Sequence, residues 1–142
     1  MLADKPNSSP SFTWPIRVYW EDTDAGGVVY YANYLKFLER ARTEWLSQLG
    51  LEQDQIAREF GVVFVVRRVE ADYIKPARFN QRLTVHCELA TLNRVSLSMK
   101  QQVLCGAQVL LTAHVKLACV DQVNFRPVKI PALISHAFGA VS

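Results

Sequence analysis

The residues best able to do chemistry lie in the stretch from Trp20 to Tyr34, which contains three acids and two adjacent glycines. This stretch joins an extended segment to a helix, so the first N–H groups of the helix point toward whatever lies in front of it. Gly26 and Gly27 leave that backbone open to close approach. Asp24 can deprotonate a water molecule or attack a carbonyl, while amides at residues 29–31 stabilise the oxyanion. The pattern indicates an acyl-transfer site.

The substrate class follows from catalytic groups that the loop lacks. No serine stands in a Gly-x-Ser-x-Gly motif, no histidine lies near the loop, and no cluster of metal ligands is evident. A thioester needs less help, because its thiolate leaves with a pKa of roughly 8.5. The loop also has an ordinary explanation: Asp22, Thr23 and Asp24 are common in turns and N-caps, and adjacent glycines are common in flexible loops. Composition alone therefore does not establish catalysis.

Periodicity predicts the elements that position this loop. An alternating strand runs from Ile16 to Glu21, and an amphipathic helix of about four to five turns starts at Tyr34 and ends before Gly50. A second short helix is predicted at residues 53–60. Four later strands are predicted to pair as antiparallel neighbours in chain order. The turns between them are predicted at residues 75–77, 91–94 and 105–107. The layout is α+β, with a five-stranded antiparallel sheet wrapped around one long central helix.

Length and composition predict one domain. The chain has 142 residues, half of them apolar, and a formal net charge of +3, which does not favour nucleic-acid binding. We predict a flexible tail at residues 1–13, a single domain at 14–134 and a second tail at 135–142. The three cysteines form no Cys-x-x-Cys motif and are expected to be buried, reduced thiols. Apolar runs are too short for a signal peptide or a transmembrane segment, which predicts a cytoplasmic protein.

Several segments together resemble one known family. They are Ile16 to Tyr30, Asn33-Tyr34, Glu39 to Glu44, Phe64 to Arg67, Tyr73, Pro76 to Arg78, Val120-Asp121 and Arg126-Pro127. The pattern resembles the 4-hydroxybenzoyl-CoA thioesterase family of hot-dog folds and, within it, the branch of acyl-CoA thioesterases associated with the bacterial Tol-Pal system. The resemblance implies that Asp24 is the catalytic carboxylate, as nucleophile or general base, and that the Tyr31 backbone N–H is the oxyanion donor. It also implies a homodimer with active sites between subunits, often paired again into a homotetramer.

Two positions depart from the Tol-Pal-associated branch. Those relatives commonly have His where this chain has Tyr31, and Tyr where it has Trp20. A mechanism that needs an imidazole at position 31 therefore fails here, whereas a main-chain donor survives the change. We expect hydrolysis of an acyl-CoA with no metal or prosthetic group.

The other candidate substrate-binding residues are spread along the chain. They are Val29 and Tyr34 beside the loop, Phe64 in an acyl pocket, and Arg78, Arg94 and Arg126 for the phosphates of coenzyme A. Each also has an ordinary explanation, since large apolar residues are usual in cores and single cations are usual on surfaces.

Two helix carboxylates have alternative interpretations. Glu39 and Glu44 occupy positions that could mimic the mid-helix carboxylate of other hot-dog thioesterases. Their neighbours Arg40 and Arg42 favour ion pairs on the helix face instead.

Two rival functions remain open from the sequence. A hydroxyacyl dehydratase on the same fold would need a histidine near the helix start, where this chain has Tyr31. A non-catalytic module of the cell-envelope machinery would bind acyl groups or an acyl carrier protein without turnover. The carrier protein is also an alternative acyl donor for the enzyme.

Overall fold

A computed structural model describes residues 10–139. One strand precedes two helices, four strands follow them, and a short helix ends the described chain. The strands are β1 (Ser11–Arg17), β2 (Val62–Tyr73), β3 (Arg82–Leu92), β4 (Ser96–Cys105) and β5 (Gln108–Asp121). The helices are α1 (Tyr34–Gln48), α2 (Gln53–Phe60) and α3 (Ala132–Ala137), and 3₁₀ turns span Trp20–Asp22 and Tyr31–Asn33.

The five strands form one antiparallel sheet in the order β1-β3-β4-β5-β2. This confirms the α+β layout with one long helix. The prediction that all later strands pair in chain order was wrong for β2 and β3, because β2 pairs with β5 whereas β3 pairs with β1 and β4. The segment between them is bound elsewhere: Ile74 N–H donates to the Leu110 carbonyl, and the Ala77 carbonyl accepts from Val29 N–H, both at 2.8 Å. It crosses the fold instead of closing a hairpin.

Helix α1 forms because its apolar residues recur at three- and four-residue spacing. Tyr34, Phe37, Leu38, Ala41, Trp45 and Leu46 are all buried. The helix lies over β1 and β3, and Gly50 follows its end with a φ of +80°, a conformation that glycine adopts without steric cost. The predicted helix end and the second helix at residues 53–60 are both confirmed.

Strand β1 begins earlier than the periodicity predicted. Phe12, Trp14 and Ile16 alternate as its half-buried face, and Pro15 is accommodated because β1 is an edge strand. The chain leaves the sheet after Arg17 and turns at Trp20–Asp22, so the predicted strand to Glu21 was wrong at that end. The folded part therefore includes residues 11–13 of the predicted tail, and residues 1–9 lie outside the described residues.

The C-terminal segment is also part of the packed core. Ile134 and Phe138 are buried, and the Phe138 ring packs edge-on against Trp45 with ring centroids 5.2 Å apart. The predicted boundary at residue 134 was thus too early, because an apolar side chain beyond it covers the end of α1. Residues 140–142 lie outside the described residues. Cys87 and Cys119 are buried free thiols as expected, whereas Cys105 is only half-buried.

Candidate active site

The Asp24 carboxylate is held by its own loop. Its Oδ1 accepts a hydrogen bond from Gly26 N–H at 2.8 Å, and the Asp24 carbonyl accepts from Gly27 N–H at 3.0 Å. Gly27 has a φ of +79°, which favours glycine. A Cβ at Gly26 would lie 3.3 Å from Asp24 Oδ1, closer than an ordinary contact. The two glycines therefore shape the loop and leave room for an exposed carboxylate.

Open amide donors lie on the other arm of the same hairpin. Thr23 pairs with Val29 across it, and the 3₁₀ turn that leads into α1 begins two residues later, at Tyr31. Among residues 10–139 no acceptor is bonded to the N–H groups of Tyr31 and Ala32, as expected for the first turn of a helix. These donors can receive the negative charge of an oxyanion.

Asp22 is a structural residue that joins the two 3₁₀ turns. Its carboxylate is buried, with Oδ2 accepting from Tyr19 N–H and Oδ1 from Asn33 Nδ2, both at 2.8 Å. Its carbonyl accepts from Tyr30 N–H at 3.1 Å. Asp22 thus fixes the hairpin that carries Asp24 and the open amides.

Three tyrosines surround the start of α1. The Tyr73 hydroxyl donates to the Tyr31 carbonyl at 3.1 Å, and the buried Tyr34 hydroxyl accepts from Ala77 N–H at 2.9 Å. Burial raises the pKa of both Tyr34 and Tyr73 further above neutral pH, where phenols are already protonated. They attach the helix start to the end of β2 and to the crossing segment.

The structure brings together only part of the predicted site. Gly26, Gly27, Val29, Tyr34 and Arg78 all lie around the Asp24 hairpin, and Arg78 pairs with Val28. Phe64 lies near the start of β2, nine residues and roughly 30 Å from Tyr73 along the strand. Arg94 follows the far end of β3. Arg126 lies in the segment after β5, whose Ile130 N–H donates to the Arg94 carbonyl. One chain therefore does not place these three residues against Asp24.

A basic cavity on the outer face of the sheet was not predicted from the sequence. It has a volume of about 290 Å³, and its lining includes Arg67, Arg68, Val95, Ser96, Lys116 and Pro127. A β-bulge between Val66 and Arg68 lets two successive arginines face one cavity. Arg68 lies directly opposite Lys116 on the neighbouring strand and forms an ion pair with Glu70 at 3.0 Å. Within residues 10–139, Arg67 and Lys116 have no carboxylate within 4.0 Å, so these two cations are available to an anion. The Arg-Arg dipeptide inside an alternating strand was the available sequence signal.

The expected ion pairs of α1 are not formed. Within the described part of the chain, neither Glu39 nor Glu44 has a cation within 4.0 Å. The interpretation as surface ion pairs was wrong because Arg42 turns inward, where its guanidinium donates to Gln101 Oε1 at 2.9 Å.

Two further kinds of feature are absent from residues 10–139. No group of three or more His, Cys, Asp or Glu side chains in this range is placed to hold a metal ion. No helix there is both long enough and apolar enough to cross a membrane.

Comparison with known proteins defines the class. Residues 18–138 match the family model described as the thioesterase-like superfamily. The chain belongs to this superfamily and has the hot-dog fold. It is 41% identical over 127 residues to the acyl-CoA thioesterase YbgC of Haemophilus influenzae, covering 89% of this chain and 93% of that protein.

Two other matches agree with this assignment. The acyl-CoA thioesterase YbgC of Helicobacter pylori is 34% identical over 134 residues, covering 88% of this chain and 98% of that protein. The crystal structure of a probable thioesterase from Bartonella henselae superposes with a TM-score of 0.82 at 35% identity, covering 85% of this chain and 99% of that one. The family resemblance of the sequence motifs is confirmed.

Proposed function

We propose that this protein is an acyl-CoA thioesterase that hydrolyses a thioester to a free carboxylic acid and coenzyme A. The observation that carries the proposal is the exposed Asp24 carboxylate, which Gly26 N–H holds on the same hairpin as the open amides at the start of α1. The relatives named acyl-CoA thioesterase support the same substrate class. No metal or prosthetic group takes part in the proposed reaction.

Asp24 and the Tyr31 N–H divide the chemistry between them. Asp24 attacks the thioester carbonyl or deprotonates the water that does so, and the Tyr31 N–H donates to the oxyanion. The Tyr31 N–H shares a peptide group with the Tyr30 carbonyl, which accepts from Asn33 N–H at 2.8 Å. Polarisation along this chain strengthens the donor. The departing thiolate has a pKa of roughly 8.5 and needs no strong acid.

A second copy of the chain completes the proposed site. β2 is an edge strand, and apolar side chains are exposed along it and at the helix start: Tyr31, Leu35, Val66, Val69, Tyr73 and Ile74. Such an edge is a template for another strand. Antiparallel pairing of two β2 strands about a two-fold axis between Arg68 and Val69 brings the partner's Phe64 opposite Tyr73. The partner thereby supplies the acyl pocket that one chain keeps at a distance. A tetramer of two such dimers stays a prediction.

The basic residues suit the phosphates of coenzyme A. Arg78 lies beside the Asp24 hairpin. Arg94 and Arg126 are the sequence neighbours of Val95 and Pro127, which line the basic cavity. Arginine binds phosphate through paired N–H groups. We assign the phosphate groups of the substrate to this cavity, with Lys116 as an additional cation.

Asp24→Asn tests the chemical role of the carboxylate. Asparagine keeps an oxygen for Gly26 N–H, so the thermal unfolding temperature should be retained. Turnover of acyl-CoA, measured as released thiol, should fall by at least about 100-fold because the base or nucleophile is lost. Release of thiol at the parental rate would show that Asp24 does not do the chemistry.

Asp22→Asn is the matched control. An amide at this position turns a donor toward Tyr19 N–H or Asn33 Nδ2, so the free energy of unfolding should fall by about 2 kcal/mol. Its folded fraction should retain far more turnover than Asp24→Asn. Similar losses of turnover in both folded variants would contradict a specific role for Asp24.

Mixing two inactive variants tests the shared site. Asp24→Asn and Phe64→Glu should each be inactive, because one lacks the carboxylate and the other charges the acyl pocket. Random pairing of equal amounts makes about half of the dimers heterodimers, and one of the two sites in each heterodimer has both native residues. Co-refolding should therefore restore about a quarter of the parental activity. If heterodimers form but recover no activity, each active site must use Asp24 and Phe64 of the same copy, which would contradict the shared site.

The rival of another class has its own outcome. A parent protein that binds acyl groups or acyl carrier protein tightly but releases no thiol would be a non-catalytic binding module. The cytoplasmic location, the carrier protein as donor and the link to the Tol-Pal system stay predictions.

A further inference from the structure

A small cavity lies between α1 and the inner face of the sheet. It has a volume of about 100 Å³ and apolar walls that include Phe64, Leu97, Met99 and Leu117. Its polar side comes largely from α1, where Glu39 and Arg42 both line it. These two residues are three positions apart and therefore stand on the same face of the helix. An apolar cavity with a few convergent polar groups is the usual form of a small-molecule site.

Gln101 holds the Arg42 guanidinium from inside the core. Its Oε1 accepts from Arg42 Nη1 at 2.9 Å, while its Nε2 donates to the Leu38 carbonyl at 3.1 Å and to Cys87 Sγ at 3.0 Å. The carbonyl can only accept, so the amide has one orientation, with its oxygen toward Arg42. Burial raises the pKa of the Cys87 thiol to about 11, so the thiol stays neutral. The position of the guanidinium is therefore fixed without a counter-charge.

Most hydrogen-bond donors of Arg42 remain free for a ligand. A guanidinium has five N–H donors, and within residues 10–139 the side chain of Arg42 has one hydrogen-bond partner and no carboxylate within 4.0 Å. Burial lowers the pKa of Arg42, and the charge of Glu39 opposes that change. Glu39 is thus close enough to act on Arg42 but does not pair with it. The cavity contains a donor and an acceptor that a ligand can satisfy together.

A hydroxyl group fits this pair best. Its oxygen accepts from Arg42 and its hydrogen donates to Glu39. Glu39 is exposed and Arg42 is half-buried, so a methyl group would displace solvent from them without replacing its hydrogen bonds, and a carboxylate would meet the negative charge of Glu39. We propose that this cavity receives the acyl group and that Arg42 and Glu39 recognise a hydroxyl at its distal end, which makes hydroxyacyl thioesters the preferred substrates. The inference rests on the proposed function and refines its substrate class. In the proposed dimer, one copy supplies Asp24 to each active site and the partner copy supplies the cavity.

Matched thioesters test the inference on the full-length protein. Hexanoyl-CoA, ω-hydroxyhexanoyl-CoA and adipoyl-CoA differ only at the distal end. The parent should hydrolyse the hydroxylated ester with a kcat/KM at least about tenfold above that of hexanoyl-CoA, because the plain ester leaves polar groups unpaired. Arg42→Met should abolish this ratio. Arg40→Met, which removes an exposed cation from the same helix, should keep it.

The outcomes separate the two proposals. A ratio that is the same in Arg42→Met and the parent would overturn the role of Arg42. A parent that prefers hexanoyl-CoA or adipoyl-CoA would overturn the recognition of a hydroxyl. If Arg42→Met does not fold, Arg42→Lys, which keeps the charge but loses the planar fork, must lower the ratio for the inference to stand. Failure to release thiol from any of the three esters would contradict the thioesterase function itself.

Discussion

Gly26→Ala separates the position of the catalytic carboxylate from the stability of its loop. A Cβ at Gly26 would lie 3.3 Å from Asp24 Oδ1, so this oxygen must move by a few tenths of an ångström. The oxygen also accepts from Gly26 N–H at 2.8 Å, so the displacement strains the bond that holds it. A misplacement of about 1 Å can cost about 100-fold in rate, so this smaller shift should lower kcat roughly fourfold to tenfold.

The free energy of unfolding of the same variant should be unchanged or slightly higher than that of the parent. The φ of Gly26 lies outside the left-handed region, so alanine can adopt the native backbone conformation. Replacing glycine at such a position stabilises a protein by about 0.4–1 kcal/mol through the unfolded chain. Activity is measured by thiol release over a range of acyl-CoA concentrations, and stability by urea unfolding.

Gly50→Ala is the reciprocal control. Gly50 has a φ of +80°, and no heavy atom lies within 4 Å of the place that an added Cβ would take, so only the backbone conformation opposes the change. Alanine there should cost about 1–2 kcal/mol of stability and leave kcat unchanged. A Gly26→Ala protein with parental kcat would refute the idea that turnover depends on the exact place of the Asp24 carboxylate. A large loss of stability in Gly26→Ala would show that the loop, not the carboxylate, was disturbed.

Two further predictions concern ionisation and charge. The pKa of Cys87 is raised from 9.0 to about 11. At pH values between these two, the folded protein keeps a proton that the unfolded chain releases. The free energy of unfolding should therefore fall by up to about 3 kcal/mol as the pH rises through this range. Burial also raises the pKa of Cys119 to about 11, so Cys87→Ala should make this decline shallower in urea titrations without removing it. A slope equal to that of the parent would contradict the assignment. Lys116→Gln should raise the KM for acyl-CoA about threefold to tenfold with kcat unchanged. The KM for acyl thioesters of N-acetylcysteamine, which lack phosphates, should stay the same. Arg58→Gln on α2 should change neither KM value. If Lys116→Gln raised the KM for both kinds of thioester equally, phosphate binding by Lys116 would be excluded.

Local patterns predicted the parts of the fold that local forces determine. The helix from Tyr34 was visible because its buried face repeats within the chain, and Gly50 stops it where the backbone turns left-handed. The Asp24 loop was visible for the same reason, since its carboxylate and its glycines are bonded to one another within three residues.

Long-range pairing was not readable in the same way. The segment after Tyr73 looked like a hairpin turn, but its partners are Leu110 and Val29, far away in the chain. Arg42 looked like a surface charge because its helix neighbours are charged, and only the sheet supplies Gln101, 59 residues later, to draw it inward. The separation of Phe64 from Asp24 likewise depends on strand order, which no window of sequence contains.

The two edges of the sheet are chemically unequal, and this limits how copies can assemble. The β1 edge contains Pro15, which has no N–H to offer a neighbouring strand, whereas every residue of β2 has a backbone N–H. Two copies that pair through β2 use the competent edge of both molecules, so further growth by strand pairing stops at the dimer. Head-to-tail joining of β1 to β2 would repeat without end and build a fibre. One imino acid in the first strand therefore favours a closed assembly over an open one.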